Sequence, residues 1–412
     1  MTLKERWLIV IMACINFTHI LDFMIMMPLG NYLMPYFHIN PQQFTLLVGA
    51  YTLSAGVSGF TAAFFVDRFD RRKVLVVGYI GFLLGTLACG IAPNYHLLLI
   101  SRLVAGLFGG VIGAQVLSII SDTFSYERRG AAMGAVMSAF AVASTLGVPF
   151  ALYLANLISW HAPFLFVAIV GTVVVPLIFK FVPPMTSHLQ RSSEREPPFH
   201  VLTHVLAQPK QRWALLFSGL IMMGHFLIIP FINPYMEFNN GYSKQQTPLI
   251  YLAGGIASFF ASNILGRLGD RYGKLPVFIM CILFSLPLVV TITNLQPIPF
   301  WVVLVLFGFW FIASTGRGVT AQAMVSNVVP AQQRGGFMSF NSSVQQLGTF
   351  LASTLAGFVV VNGPHNEIYR YHWLGYLSVA ILLCCAGIAV KVFATKKEAA
   401  VTNKLADASA AS

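Results

Sequence analysis

Charge is what this 412-residue chain has least of: only 9% of its residues are Asp, Glu, Lys or Arg, against 57% hydrophobic and a mean hydropathy of +0.75. Soluble domains carry about 25% charged residues, so water cannot be the solvent for most of this surface. Lipid must be. Acids are scarcer still, with 13 Asp and Glu against 25 Lys and Arg, giving a net charge of +12. That excess does not signal nucleic acid. The bases sit in short loops between apolar runs, with no arginine-rich tail and no nucleic-acid motif, so anionic membrane lipids are the expected partner. The five cysteines (Cys14, Cys89, Cys281, Cys384 and Cys385) all lie inside apolar runs without C-x-x-C spacing, and are expected as buried free thiols. A Ser-His-Asp set, a metal-ligand spacing and a G-x-x-x-x-G-K-S/T loop are all missing, which argues against an enzyme and against direct ATP drive. No cofactor and no metal is expected. The first apolar run is too long for a removable signal and lacks a small-residue cleavage site, so it reads as a retained span.

What the chain has instead is long apolar runs. Twelve candidate spans fall near 7–34, 44–66, 73–92, 96–121, 130–157, 163–182, 213–236, 247–269, 275–293, 299–327, 334–361 and 371–395. Each approaches or exceeds the roughly 20 residues that cross a bilayer as a helix, and their unbroken apolar character excludes an outer-membrane barrel. Of the 25 Lys and Arg, 21 lie on one side, two (Lys244 and Arg370) on the other, and two (Arg102 and Arg317) inside spans. This alternation predicts twelve helices with both termini cytoplasmic. The only long connection, 183–212, is rich in Pro, Ser and charge and reads as a cytoplasmic linker, with a short surface helix expected at 199–207. It divides the chain into a six-helix bundle at 1–182 and another at 213–395, leaving 396–412 as a disordered tail. The bundles repeat. "VDRFDRRKV" and "GDRYGKLPV" place Asp67 and Asp270 203 residues apart, while "ERRGAAMG" and "QQRGGFMS" place Arg129 and Arg334 205 apart. Two features at nearly one offset indicate duplicated halves.

These loops resemble the signature G-x-x-x-D-R-x-G-R-R/K of the major facilitator superfamily, and the resemblance covers essentially the whole chain. The second half matches with Gly266, Asp270, Arg271, Gly273 and Lys274; the first keeps Asp67, Arg68, Arg71, Arg72 and Lys73, with Ala63 and Asp70 where glycines are usual. The missing glycine is expected to loosen the turn between spans 2 and 3. In that family the two loops form a latch that closes the cytoplasmic side; the plainer alternative is that the bases only enforce topology. Span 4 carries "SRLVAGLFGGVIG", in which Arg102, Gly106, Gly109, Gly110 and Gly113 share one helical face, and small residues let membrane helices approach closely. Arg102 and Gly106 match the family's helix-4 signature, whose usual Gln is Ala105 here. In span 5, Gly147-Val148-Pro149 is the spaced form of the antiporter signature and predicts a bend. With "WHAPF" at 160–164, it resembles the sugar-efflux-like permeases of the twelve-helix drug:proton antiporter branch.

One residue breaks the apolar pattern most sharply. Asp22 is the only Asp, Glu, Lys or Arg between Arg6 and Asp67, and lies about 22 Å along span 1, near the bilayer middle. Intramembrane acids are costly enough to make function the default reading. The family places helices 1 and 4 around a central cavity, which makes Arg102 the natural partner. Low dielectric favours the neutral acid and a neighbouring arginine the carboxylate, opposing effects that suit a proton-coupling group. A static buried pair is the alternative. His19, one turn earlier, is a proton-relay candidate or a plain helix-packing donor, and Asn16 extends the polar stripe. Phe23 and Met26 flank Asp22 as lining candidates; His225, Arg317 and Gln345 are further polar candidates in the second half.

The expected architecture is therefore an all-α membrane protein, twelve transmembrane helices in two pseudo-symmetric six-helix bundles. The expected activity is secondary transport of a small organic solute by alternating access, with proton-coupled efflux. The alternatives are a proton symporter or uniporter importing a sugar or organic acid, and, more remotely, a non-transporting receptor or scaffold. A monomer in the plasma membrane is expected (the inner membrane in a Gram-negative cell).

Overall fold

The computed structural model describes residues 2–62, 64, 66–124, 126–185, 207–329 and 334–394. The first half of the chain forms α1 (Leu3–Ile25), α2 (Gly30–Phe37), α3 (Pro41–Ala62), α4 (Arg71–Gly90), α5 (Tyr95–Thr123), α6 (Tyr126–Val142), α7 (Val148–Leu157) and α8 (Ala162–Phe181). The second half forms α9 (Pro209–Phe226), α10 (Thr247–Tyr272), α11 (Lys274–Thr293), α12 (Phe300–Ser326), α13 (Arg334–Val359) and α14 (Tyr371–Phe393). A two-stranded antiparallel hairpin, β1 (Val361–Asn362) with β2 (Ile368–Tyr369), joins the last two.

Sequence chemistry accounts for where these helices start and break. Thr2 and Glu5 close a reciprocal cap on α1, and the Asn94 side chain accepts from Leu97 N at 2.9 Å to start α5. Span 1, expected as one helix over 7–34, stops at Ile25 and resumes at Gly30; Pro28 lies in the break, where it removes a backbone donor. Span 7 starts at Pro209, earlier than expected, and after Phe226 runs through irregular turns as far as Asn239, with Pro230 and Pro234 among them. In span 5, a wider π-helical turn over Ala143–Gly147 separates α6 from α7, so the helix loosens just ahead of Pro149. The linker's surface helix at 199–207 falls almost wholly outside the described residues, as does the tail at 396–412.

Among the described residues, eleven helical stretches are long and apolar enough to cross a membrane. The twelfth rod, α13, falls short because its sequence includes Asn341, Ser343, Gln345, Gln346, Thr349 and Ser353. Its hydroxyls turn back onto its own carbonyls, as Thr349 does to Gln345 O at 3.0 Å and Ser353 to Thr349 O at 3.0 Å. It is packed along α3, so protein covers much of a surface too polar for lipid. The two halves of the chain meet along α3 with α13, and along α6, α7 and the intervening turn with α10. Small residues make these approaches possible: a side chain at Gly255 would strike the backbone of Thr145, and one at Gly357 would strike Thr45 and Gln42. All five cysteines are free, but Cys384 is exposed on α14 rather than buried, on a surface built for lipid.

Candidate functional site

The two intramembrane charges of the first half meet. Arg102 Nη1 on α5 donates to Asp22 Oδ2 on α1 at 2.8 Å, and both side chains have zero exposure. The arginine is held from its other side by aromatic rings, with Tyr51 at 4.5 Å and Phe164 at 6.0 Å from the guanidinium carbon. Burial in a low dielectric makes the pairing strong, yet protein groups satisfy it incompletely. Asp22 Oδ1 and Arg102 Nε and Nη2 have no hydrogen-bond partner among the described residues. Thr86 on α4 stands beside the carboxylate, and Cys89 on the same helix stands beside the guanidinium.

The neighbours on α1 divide. Phe23 stacks on Tyr51 at 5.7 Å and reaches Phe226 on α9, also at 5.7 Å, so it joins the halves beside the ion pair. His19 packs against Phe82 (5.7 Å) and Tyr51 (6.2 Å), and among the described residues no hydrogen bond joins it to Asp22. Asn16 donates to Val136 O on α6 at 3.3 Å. Met26, in the break after α1, is fully buried in the core. Gly106 and Gly110 do serve close approach: side chains there would strike Tyr51 O and Ala55 O on α3. Gly113, expected on the same packing face, has open space around its Cα. Gly147 packs on Leu21, where an added Cβ would lie 2.9 Å from a methyl carbon.

In the second half, Arg317 on α12 is 2% exposed. It donates to Ser285 Oγ on α11 at 3.1 Å and Ser314 Oγ at 3.3 Å, and lies 3.0 Å from His225 Nδ1 on α9. His225 stacks on Trp310 with ring centroids 5.4 Å apart. Gln345 on α13 donates to Ser218 Oγ on α9 at 2.9 Å.

The signature loops do not reach across to one another among the described residues. The side chain of Asp67 lies outside the described parts, as do those of Arg129 and Arg334. Arg68 is exposed. Arg71 pairs with Asp122 at the end of α5 (3.0 Å), while Arg72 donates to Phe179 O on α8 (2.9 Å). Asp70, far from loosening its turn, caps α4 by accepting from Arg72 N (2.9 Å) and also accepts from Met185 N (3.0 Å). Asp270 pairs with Lys274 one helical turn on, at 2.5 Å, and is largely exposed. Gly273 has φ +100 between α10 and α11, a backbone reserved for glycine. Arg271 lies over the Tyr272 ring, and Gly266 is in loose contact with Val319.

Polar contacts between the halves gather instead at the opposite end, while at the basic-loop end the halves touch through Phe60 and Phe340, with ring centroids 5.5 Å apart. Asn31 donates to Glu237, and Lys244 pairs with the same carboxylate at 3.6 Å. Lys244 also lies 4.9 Å over the Tyr32 ring; Tyr32 donates to Asn156 (2.5 Å), and Asn156 to Lys244 O (2.8 Å). Asn233 donates to Pro28 O at 2.8 Å. Sequence reading missed this network because charges at span ends look like ordinary loop residues. The available signal was Glu237, an acid terminating a span, with Lys244 seven residues on.

Comparison with known proteins agrees with this architecture. The sequence profile of the Major Facilitator Superfamily matches residues 12–316 and 214–411. The uncharacterized MFS-type transporter YceJ of Bacillus subtilis (strain 168) is 24% identical over 349 residues, covering 84% of this chain and 87% of the relative. A probable sugar efflux transporter of Helicobacter pylori (strain ATCC 700392 / 26695) is 21% identical over 344 residues, covering 81% and 85%. The fold is that of a bacterial homologue of the human lysosomal transporter Spinster, solved inward-facing and unoccupied: TM-score 0.77, 16% identity, 95% of this chain and 98% of that one. A chain of membrane-length helices whose profile match spans both halves is a multi-pass membrane transporter, not an enzyme, and it belongs to the Major Facilitator Superfamily.

Proposed function

We propose that this transporter exports a small organic solute in exchange for protons, with Asp22 as the group that gains and loses the proton and Arg102 as its counter-ion. The observation that carries this reading is the sealed Asp22–Arg102 pair, one 2.8 Å contact with three further polar atoms unbonded. A purely structural buried pair is expected to have its remaining lone pairs and protons satisfied. A pair left half-satisfied is poised to exchange partners. Protonating Asp22 removes the anion that balances Arg102, so that state is favoured only where water or solute reaches the arginine. Proton binding and cavity opening are thereby linked in alternating access.

Polar side chains tie the halves at the end opposite the basic loops, whereas at the basic-loop end the described cross-half contact is apolar, Phe60 with Phe340. This pattern suits a transporter open toward the cytoplasm, ready to load a solute for export. The name of the Helicobacter relative favours the same direction. The transporter acts as a monomer in the plasma membrane.

In proteoliposomes with an imposed pH gradient, a screen of sugars, organic acids and lipophilic drugs should find a solute whose flux follows the gradient. Asp22→Asn should leave counterflow of that solute while abolishing its response to pH. Gradient-driven flux unchanged in Asp22→Asn would sink the assignment.

A further inference from the structure

Arg317 is as fully buried as Arg102, but among the described residues no acid balances it. Among the described residues its side-chain partners are Ser285, Ser314 and His225, and the other titratable groups near it are the thiols of Cys281 and Cys385. A guanidinium has donors only, so the 3.0 Å contact makes His225 Nδ1 the acceptor. The imidazole in this arrangement is therefore neutral, with its proton on Nε2. The cluster carries one full positive charge, and no carboxylate among the described residues contacts it.

Position within the repeat sharpens the point. His225 follows Asp22 by 203 residues, the same offset that relates Asp67 and Asp270. Where the first half supplies an aspartate to Arg102, the second supplies a neutral ring to Arg317, an arginine 215 residues on and so about three turns further along its span than the repeat would place it. Ser285 and Ser314, both bonded to the guanidinium, fix its orientation without neutralising it. His225 is half-buried, and no partner for its Nε2 is found among the described residues. From Arg317 the path back to Arg102 is lined by rings: His225, Phe226, Phe23 and Tyr51 follow one another with centroids 5.2, 5.7 and 5.7 Å apart. An aromatic wall ending at an unbalanced cation is complementary to an apolar body carrying one negative group.

We infer that Arg317, with His225 and Ser285, is the recognition site for an organic anion, a carboxylate or phosphate ester whose charge completes the pair that the second half lacks. The inference deepens the transport reading above and rests on it for the route of the solute, but the binding step needs no proton gradient. A solute anion at Arg317 and a proton at Asp22 would then change the charge at the two ends of this series of ring contacts.

The test uses the purified full-length protein in detergent and matched acid and neutral compounds: benzoate with benzamide, gluconate with sorbitol, and phenyl phosphate with phenol. Binding is read by thermal shift and isothermal calorimetry at fixed ionic strength, with sulfate as the control for general salt effects. At least one acid should bind saturably and its neutral counterpart at least about tenfold more weakly. Arg317→Gln should weaken the acid by about tenfold or more without affecting any neutral compound. If that variant does not fold, Arg317→Lys and Ser285→Ala should each weaken the acid by a smaller factor. Equal binding of acid and neutral partner, unchanged acid binding in these variants, or no acid binding above the sulfate control would each overturn the proposal. Asp22→Asn should keep the acid preference. Loss of pH-driven flux with that preference intact would refute only the proton site, and the converse result only the anion site.

Discussion

Asp22 on α1 meets Arg102 on α5; His225 on α9, 203 residues further along, meets Arg317 on α12. The two constructions use equivalent spans and place an arginine at comparable burial. They differ in one residue type and therefore in charge: the first is neutral as a pair and the second carries an unbalanced cation. The acid and the histidine are repeat equivalents, but the arginines are not, since Arg317 follows Arg102 by 215 residues rather than 203. On the proposals above the halves do separate work, one holding a titratable pair and the other an open charge that a ligand can complete. A second contrast runs along the membrane normal. At one end, polar side chains bond across the halves, Asn31 to Glu237 and Asn156 to the Lys244 carbonyl; at the other, the bonds described for Arg71, Arg72 and Asp270 stay within their own half.

The first contrast breaks most visibly in stability. Asp22→Ala strands Arg102, which cannot lose its charge, and should cost about 3–5 kcal/mol of unfolding free energy. Arg102→Ala should cost less, because the aspartate it strands can take up a proton. Arg317→Gln should cost little or nothing, since it removes a charge that nothing balances. Thermal unfolding of the three variants in one detergent checks the order, and equal losses at Arg102 and Arg317 would erase the proposed difference between the halves. The second contrast is tested at Glu237, where Glu237→Ala removes bonds to Asn31 and Lys244. It should weaken closure of that end by about 2 kcal/mol, read as faster labelling of a cysteine introduced at Ser159. Smallest are the loop effects. Asp70→Ala, losing a helix cap, should cost about 1 kcal/mol. Asp270→Asn, losing an exposed pair one turn apart, should stay within about 0.5 kcal/mol.

Much of this architecture was legible in the sequence because lipid imposes a simple rule: apolar runs span and basic residues stay on one side. Asp22 and Arg102 stood out for the same reason, as charges where charge is expensive. Their contact was not legible, since sequence gives depth along each helix but not rotation about it. Rotation also decided the glycines. Gly106 and Gly110 face α3, whereas Gly113, assigned to that face by periodicity, looks into open space. Asp70 was misread through the family pattern: an Asp immediately before α4 is an ordinary helix cap, and capping outweighs the lost glycine. The break at Met26–Leu29 had its signal in Pro28, but an unbroken apolar run concealed it. Glu237 and Lys244 carry no mark in composition, because their role exists only where two distant span ends meet.

The central claim is that Asp22 changes protonation state inside the membrane, and difference infrared spectroscopy of the reconstituted protein tests it without knowledge of the solute. No other Asp or Glu lies near mid-membrane, so a pH step should reveal one buried carboxylic acid C=O band. The account predicts that band in the wild type and its loss in Asp22→Asn. A band of the same position and size in both proteins would contradict it.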